Sequence, residues 1–320
     1  MSAFGRLVRP AILSAGRSER MRTAVERLLV TRSVVRRFVA GEALTDALNA
    51  VDLLRDSGRM VSVDYLGENV ADAGGATATV EAYLRLLDAL AHRGEAEGGA
   101  VRQVEVSVKL SALGQALPRD GDKIALENLH AICERAHRTG VWVTVDAEDH
   151  TTTDSTLSVV TDLRTEFGWL GVAVQAYLRR SLGDCEQFAR AGGARIRLCK
   201  GAYDEPAAVA YRDRDEVTDS YLRCLRVLMA GDGYPMIASH DPAVIAAVPR
   251  LAAETGRGAD GFEYQMLYGV RDAEQRRLAG AGEPVRVYVP FGTQWYGYLM
   301  RRLAERPANL AFFLRALLGG

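Results

Sequence analysis

The sequence predicts an α/β protein folded as a single (βα)8 barrel of the TIM type, with helices before the barrel and one helix after it. Two observations lead to this prediction. From Met60 onward, eight short runs with strand character alternate with stretches of helical period. Each run is apolar on both faces or nearly so, as in a parallel sheet covered by helices. Eight βα units in succession favour a closed barrel over an open, doubly wound sheet.

The predicted strands follow one another at regular intervals to the end of the barrel. In chain order they are MVSVDYLG, VEVSVKL, VWVTVDA, GVAVQAYL, ARIRLCK, YPMIASH, GFEYQML and VRVYVPFG. Between them lie amphipathic stretches, several of which end at Gly, a common helix terminator. A dinucleotide-binding sheet would place GxGxxG after its first strand, and VDYLGENVADAGG lacks that pattern.

The 320 residues are predicted to form one domain with two parts. Residues 1–58 show no strand-like run and are expected to form a helical segment packed on the barrel. Residues 59–320 are expected to form the barrel with its C-terminal helix. A long apolar tail, AERPANLAFFLRALLGG, reads as a helix that caps the barrel.

Charge and composition exclude several classes of protein. The formal net charge is −1, which argues against a nucleic-acid binder. The four cysteines form no CxxC pair, and the sequence has no run long and apolar enough to span a bilayer. A cytoplasmic protein is therefore expected. The Arg-rich start suits either an anionic membrane surface, and so peripheral contact at its inner face, or a solvated helix face.

Lysine is rare in this chain. Of 40 basic residues only Lys109, Lys123 and Lys200 are lysine. A compact ammonium that arginine cannot replace is one reason to keep a lysine. Lys123 lies in a polar stretch and needs no such explanation, which leaves Lys109 and Lys200 as candidates for a chemical role.

Polar residues fall at the carboxyl ends of the predicted strands, where the loops of a (βα)8 barrel form its active site. Charged residues in such apolar surroundings require partners or a ligand. In strand order these polar residues are Lys109, Asp146, Glu148, Gln175, Arg197, Lys200, His240, Gln265 and Tyr288.

Two of these residues come from neighbouring strands. Lys109 and Asp146 are expected to form a salt bridge that faces the cavity. A purely structural pair is the alternative. A Schiff-base role for Lys109 or Lys200 also stays open, since a desolvated barrel lysine can act as a nucleophile.

The segment RLCKGAY leaves the fifth strand with two cations and two small residues. Gly201 and Ala202 let backbone N–H groups approach an anion, and Lys200 adds a point charge. The loop is therefore a candidate binding element for a phosphate or for a reduced, anionic ring. His240 on its own would more often be a hydrogen-bonded structural histidine.

A final group lies on the helix after the eighth strand. Tyr298, Arg301, Arg302 and Glu305 are spaced to share most of one helix face, and Glu305 is expected to pair with Arg301. Two adjacent guanidinium groups repel one another unless an anion lies between them, and a carboxylate suits that position. A solvated, Arg-rich helix face is the alternative.

Taken together, these motifs resemble the proline dehydrogenase family, both its monofunctional members and the dehydrogenase part of the bifunctional proline utilisation A proteins. The similarity runs from about Val61 to Leu317. The motifs occur in the family's order: VSVDYLGE, SVKLSALG, VTVDAED, VQAYLRR, RLCKGAY, ASHDP, FEYQMLYG, RVYVPFG and YLMRRLAER.

The resemblance implies a role for each matching residue. Asp146 and Arg197 match catalytic positions. The positions that match substrate contacts are Lys109, Tyr288, Arg301 and Arg302. The positions that match contacts with the cofactor FAD are Ala147, Gln175, Arg197, Lys200, Gly201, Ala202, Ser239, His240 and Glu305.

The resemblance also implies a reaction. Family members oxidise L-proline to pyrroline-5-carboxylate with FAD, the first step of proline catabolism to glutamate, and pass the electrons to a quinone-type acceptor. Members active on hydroxyproline tend to lack a tyrosine at the Tyr288 position, so proline is the expected substrate. A flavin dehydrogenase of hydroxyproline or another cyclic amino acid, and a Schiff-base aldolase, are the alternatives.

Overall fold

The structure, a computed structural model, describes residues 35–91, 93 and 101–305. Eight parallel strands close into a barrel in chain order, and the eighth strand pairs with the first. The strands β1 to β8 are Met60–Tyr65, Val104–Val108, Trp142–Val145, Gly171–Gln175, Arg195–Cys199, Tyr234–Ala238, Glu263–Leu267 and Val285–Phe291. The predicted TIM-type fold and all eight predicted strands are therefore confirmed.

Helices follow the strands and surround the barrel. The described helices α1 to α9 are Leu44–Asp56, Ala73–Leu90, Gly121–Thr139, Thr153–Leu163, Ser181–Arg190, Arg214–Ala230, Pro242–Thr255, Asp272–Gly280 and Trp295–Glu305. Some of their ends carry ordinary capping signals. Asp241 caps α7 by accepting the backbone N–H of Ala243, and left-handed Gly140 and Gly256 end α3 and α7, as the sequence predicts.

The two faces of each strand have different surroundings. In β2, Val104, Val106 and Val108 join the apolar core that lies between the barrel and its helices. Glu105 and Ser107, the alternate residues, are also fully buried but hydrogen-bond to arginines from another strand. The layer between the strands and the surrounding helices is therefore apolar, whereas polar side chains from β2 and β5 lie inside the barrel.

The segment before the barrel packs against the seam at which the barrel closes. Helix α1 contacts β8 and β1, and the Ala40 N–H donates to the carbonyl of Pro290 at 2.9 Å. Residues 1–34 of the predicted helical segment lie outside the described residues, as does most of the apolar tail. The division of the chain at residues 58 and 59 stays a prediction. None of the helices within the described part combines the length and apolarity that crossing a membrane requires.

Candidate active site

The carboxyl ends of the strands bring acidic and basic side chains to one mouth of the barrel. We call one group of these the ionic cluster. Its members are linked by ion pairs and by electrostatic interactions. Its members are Asp64 from β1, Glu68 from the next loop, Lys109 after β2, Asp146 after β3, and Arg301 from α9.

Lys109 is held by two carboxylates. Its Nζ donates to the two carboxylate oxygens of Asp64 at 2.8 and 2.9 Å and lies 3.9 Å from the nearer oxygen of Asp146. The predicted contact with Asp146 is present, but it is the longer of the two. Asp64 was not singled out from the sequence, although it is the one acidic residue in its apolar strand. A single acidic residue in an apolar strand indicates a buried charge that needs a partner, and this pattern could have identified Asp64 as a site residue.

The charge state of Lys109 bears on its chemistry. Burial alone would lower its pKa, but the negative charges of Asp64 and Asp146 raise the pKa well above its usual value. The ammonium therefore stays protonated at physiological pH. A Schiff-base nucleophile must be a neutral amine, so this environment argues against that role for Lys109.

Arg197 extends across the interior of the barrel from the middle of β5. All five of its N–H groups meet acceptors, and its side chain is 5% exposed. The acceptors are Gln265 at 2.6 Å, Ser107 at 2.6 Å, Ser62 at 3.1 Å, Glu105 at 2.5 Å and a carboxylate oxygen of Asp146. The side chain is thus held in one position, with Asp146 at its outer end.

Asp146 also holds Tyr288. The phenol of Tyr288 donates to Asp146 at 2.7 Å, and the Arg197 guanidinium carbon lies 5.5 Å from the centre of the tyrosine ring. Burial, together with the charge of Asp146, raises the pKa of Tyr288. Because its hydrogen bonds go to Arg197 and Tyr288, Asp146 orients these two residues more directly than it orients Lys109.

Arg301 has a partner that was not anticipated. Its two terminal nitrogens donate to the carboxylate of Glu68, one of them at 3.1 Å. Burial would raise the pKa of Glu68, but the charges of Arg301 and Lys109 lower it overall. The predicted partner of Arg301, Glu305, has a side chain outside the described part of the structure, so that pairing stays a prediction.

Arg302 lies beside Arg301 on α9 and is half-buried. Its guanidinium carbon lies 5.2 Å from the centre of the Tyr298 ring. The tyrosine face therefore supports this guanidinium on the helix.

A second group of residues, residues 200–202, leaves β5 on another part of the mouth, and we call it the 200–202 loop. Lys200 donates to Asp241 at 2.5 Å and to Thr218 at 2.7 Å. Gly201 has φ of +111°, and a Cβ at this position would lie 2.3 Å from the ring of Tyr177. Only glycine suits this conformation and this approach. A larger residue at position 201 would therefore shift the backbone of the loop.

Ala147 and Gln175 lie on the neighbouring strand ends. Ala147 is half-buried, directly after Asp146. Gln175 is buried, and its amide donates to the backbone carbonyl of Glu148 at 2.7 Å. This bond ties the end of β4 to the loop after β3.

Ser239 and His240 follow β6. The Ser239 hydroxyl accepts the backbone N–H of Asp241 at 3.1 Å, and His240 Nε2 accepts the N–H of Leu267 at 2.9 Å. In this contact Nε2 is the acceptor nitrogen of the ring. This contact joins the end of β6 to the end of β7, which is a structural role for His240.

The structure therefore brings Lys109, Asp146, Arg197, Tyr288 and Arg301 into one hydrogen-bonded or electrostatically coupled set. Lys200, Gly201, Ser239 and His240 lie at the ends of β5 and β6, at the same mouth. The sequence analysis missed three acidic residues that bond to this set. They are Glu105, Asp64 and Glu68.

Comparisons with known proteins were made with this geometry in hand. The proline dehydrogenase family profile matches residues 47–315. A proline dehydrogenase from Deinococcus radiodurans is 37% identical over 98% of this chain and 99% of its own length. Proline dehydrogenase 1 of Bacillus subtilis is 38% identical over 90% of this chain and 92% of its own length.

Longer relatives match through one part of their length. The bifunctional protein PutA of Escherichia coli is 29% identical over 90% of this chain and 24% of its own length. The crystal structure of proline utilization A from Bdellovibrio bacteriovorus, inactivated by N-propargylglycine, superposes with a TM-score of 0.79 at 28% identity. The match covers 86% of this chain and 32% of the Bdellovibrio chain. The barrel, its motifs and these similarities together show that the chain belongs to the proline dehydrogenase family.

Proposed function

We propose that this protein is an FAD-dependent proline dehydrogenase that oxidises L-proline to pyrroline-5-carboxylate, the first step of proline catabolism to glutamate. The observation that carries the proposal is the ionic cluster. In it, Lys109 and Arg301 are both coupled to Glu68 at the barrel mouth. Such cations suit the carboxylate of an amino acid.

The substrate carboxylate would be bound by Lys109, Arg301 and Arg302. Glu68 accepts two hydrogen bonds from Arg301, and a substrate carboxylate would offer the same guanidinium an equivalent acceptor. Tyr288, fixed by Asp146, would pack against the proline ring. We call Lys109, Arg301 and Arg302 the carboxylate clamp. The clamp and the Tyr288 ring would together orient one edge of the substrate toward the cofactor.

FAD would be held by Ala147, Gln175, Arg197, Lys200, Gly201, Ala202, Ser239, His240 and Glu305. The donor chemistry fits: Lys200 is a partly exposed ammonium beside a glycine whose backbone no larger residue could adopt, which suits the pyrophosphate. When bound, FAD supplies the hydride acceptor. The protein would orient the substrate, and Arg197 would supply a positive charge to the bound flavin.

Proline must also lose its amine proton. Neither Lys109 nor Arg197 can accept it, because the adjacent carboxylates raise the pKa of both above its usual value despite their burial. The proton acceptor would be another group at the mouth or water. Arg197 serves as a fixed positive charge.

The electrons would pass to a quinone-type acceptor. A quinone is dissolved in the membrane, so the protein would work in the cytoplasm and meet its acceptor at the inner face of the membrane. The Arg-rich start of the chain is the candidate contact, and vesicle sedimentation with anionic and neutral lipids tests it.

The spectrum of the purified protein tests the main proposal. We expect flavin absorption bands that bleach when L-proline is added without oxygen. N-propargylglycine, which inactivates the Bdellovibrio relative, should also inactivate this protein. A protein that folds but neither carries nor binds flavin would contradict the proposal. Reduction by another cyclic amino acid but not by proline would favour the hydroxyproline-type alternative.

A substitution tests the clamp. Arg302→Met should raise the KM for proline about 10–100-fold while FAD stays bound, since a charge-assisted hydrogen bond contributes roughly 1.5–3 kcal/mol. Arg226→Met, which removes an exposed arginine from α6, is the matched control. An unchanged KM in the Arg302 variant would remove this residue from the clamp.

A further inference from the structure

The interior of the barrel below the mouth contains charges that the proposed reaction does not itself explain. Glu105 in β2 has no exposed surface, and neither has Glu263 in β7. Three arginines meet these two carboxylates. They are Arg195 and Arg197 of β5 and Arg286 of β8. Isolated buried charges are costly, so each must be matched by a partner.

Glu105 accepts hydrogen bonds from two of these arginines, and Arg286 Nε lies 4.0 Å from one of its oxygens. One carboxylate oxygen accepts from Arg197 at 2.5 Å. The other accepts from Arg195 at 2.5 Å and from the Thr144 hydroxyl at 3.0 Å. Glu263 is used differently, because both of its oxygens accept from Arg286, at 2.7 and 2.9 Å.

Glu105 thus holds the Arg197 guanidinium from inside the barrel, while the same guanidinium contacts Asp146 at the mouth. Arg197 bonds to Glu105 through Nη2 and to Asp146 at the mouth through Nη1. Its planar fork cannot rotate without breaking both contacts. Arg195 competes for Glu105 from the same strand and is itself held against the Trp142 ring at 3.8 Å.

We infer that Glu105 is a positioning residue that fixes Arg197 from below and offsets part of its positive charge, and thereby sets the reduction potential of the bound flavin. This inference rests on the proposed function, which places Arg197 beside the isoalloxazine ring. Reduction adds electrons to that ring, so nearby positive charge favours the reduced form and nearby negative charge disfavours it.

The test is the midpoint potential of bound FAD, measured by reductive titration with dithionite and a reference dye. Glu105→Gln keeps the shape of the side chain and removes its charge, so the potential should become more positive than that of the parent protein. Glu263→Gln is the matched control. It removes an equally buried carboxylate that bonds to Arg286, contacts Arg197 through Gln265, and acts on the charge of Arg197 more weakly than Glu105 does. Its shift should be less than half as large.

A second variant covers the case in which Glu105→Gln does not fold. Arg195→Gln leaves the contact between Glu105 and Arg197 in place and removes the competing cation, so the potential should shift in the negative direction. The double variant Glu105→Gln with Arg195→Gln should return close to the parent value. Folding of each variant is checked by circular dichroism and by flavin content.

The outcomes separate this inference from the proposed function. If the parent protein binds no FAD, the proposed function fails. If it binds FAD and oxidises proline, but Glu105→Gln has the parent's potential or shifts no more than Glu263→Gln, the role of Glu105 is refuted. Shifts of the same sign in the Glu105 and Arg195 variants would also refute it, since a purely structural disturbance has no reason to follow charge.

Discussion

The ionic cluster and the 200–202 loop lie at the same mouth of the barrel but are built differently. In the cluster, Lys109 and its partner Asp64 are 7% and 0% exposed. In the loop, Lys200 and its partner Asp241 are 29% and 30% exposed. Buried pairs depend on each other, because removal of one charge leaves the other in a medium of low polarity. The cluster should therefore combine binding with stability, whereas the loop should depend mainly on its backbone shape.

The largest expected effect is on stability. Lys109→Met leaves Asp64 and Asp146 without their shared cation, and should lower the free energy of unfolding by about 3–5 kcal/mol. Lys200→Met, in the exposed pair, should lower it by about 1 kcal/mol or less. Urea denaturation of both variants measures the difference. Equal losses would mean that burial does not distinguish the two regions.

Backbone shape should dominate in the loop. Gly201→Ala must place a methyl group against Tyr177 at a φ of +111°, which costs about 1–3 kcal/mol in local strain. We expect weaker FAD binding, measured from the fluorescence of released flavin in equilibrium dialysis. Gly183→Ala, where a Cβ meets nothing within 4 Å, is the matched control. Unaltered FAD binding in the Gly201 variant would exclude the loop from the cofactor site.

Substrate specificity should depend on Tyr288. Its replacement by Ser removes the ring wall next to Asp146, so discrimination against hydroxyproline should fall roughly 10-fold or more. The ratio of kcat/KM for proline and hydroxyproline is the measurement. Tyr234→Phe, which removes a phenol at the start of β6, is a control that should preserve the ratio. A preference that survives the Ser substitution would assign specificity to other residues.

The smallest effect should be a pH dependence that comes from Glu68. Its pKa is lowered in the folded protein, so its ion pair with Arg301 stabilises the protein above the unfolded pKa of about 4.3. That contribution is lost as pH falls through the lower, folded pKa. Glu68→Gln should therefore cost about 1 kcal/mol at pH 7, and the cost should shrink toward zero in acid. Thermal unfolding from pH 7 to pH 3 tests this, and a cost that does not vary with pH would contradict it.

Pairing of side chains was less predictable than the fold. The sequence pointed to Lys109 and Asp146 as a pair, and they are 3.9 Å apart, yet the closer partner is Asp64. The structure shows Arg301 bonded to Glu68 from the loop after β1, a contact that helical spacing did not indicate, while the pairing with Glu305 stays a prediction. Helical spacing describes neighbours on one helix and is silent about residues more than 200 positions away in the chain.

The sequence by itself determined the strand order, the barrel and the strand ends at which the polar residues stand, because these follow from local periodicity and from the rule that parallel βα units wind in one direction. Only the tertiary structure decided which charge meets which. Glu105 shows the reason: in sequence it is one acid inside an apolar strand, and its contact with Arg197 exists only once β2 and β5 face each other across the closed barrel.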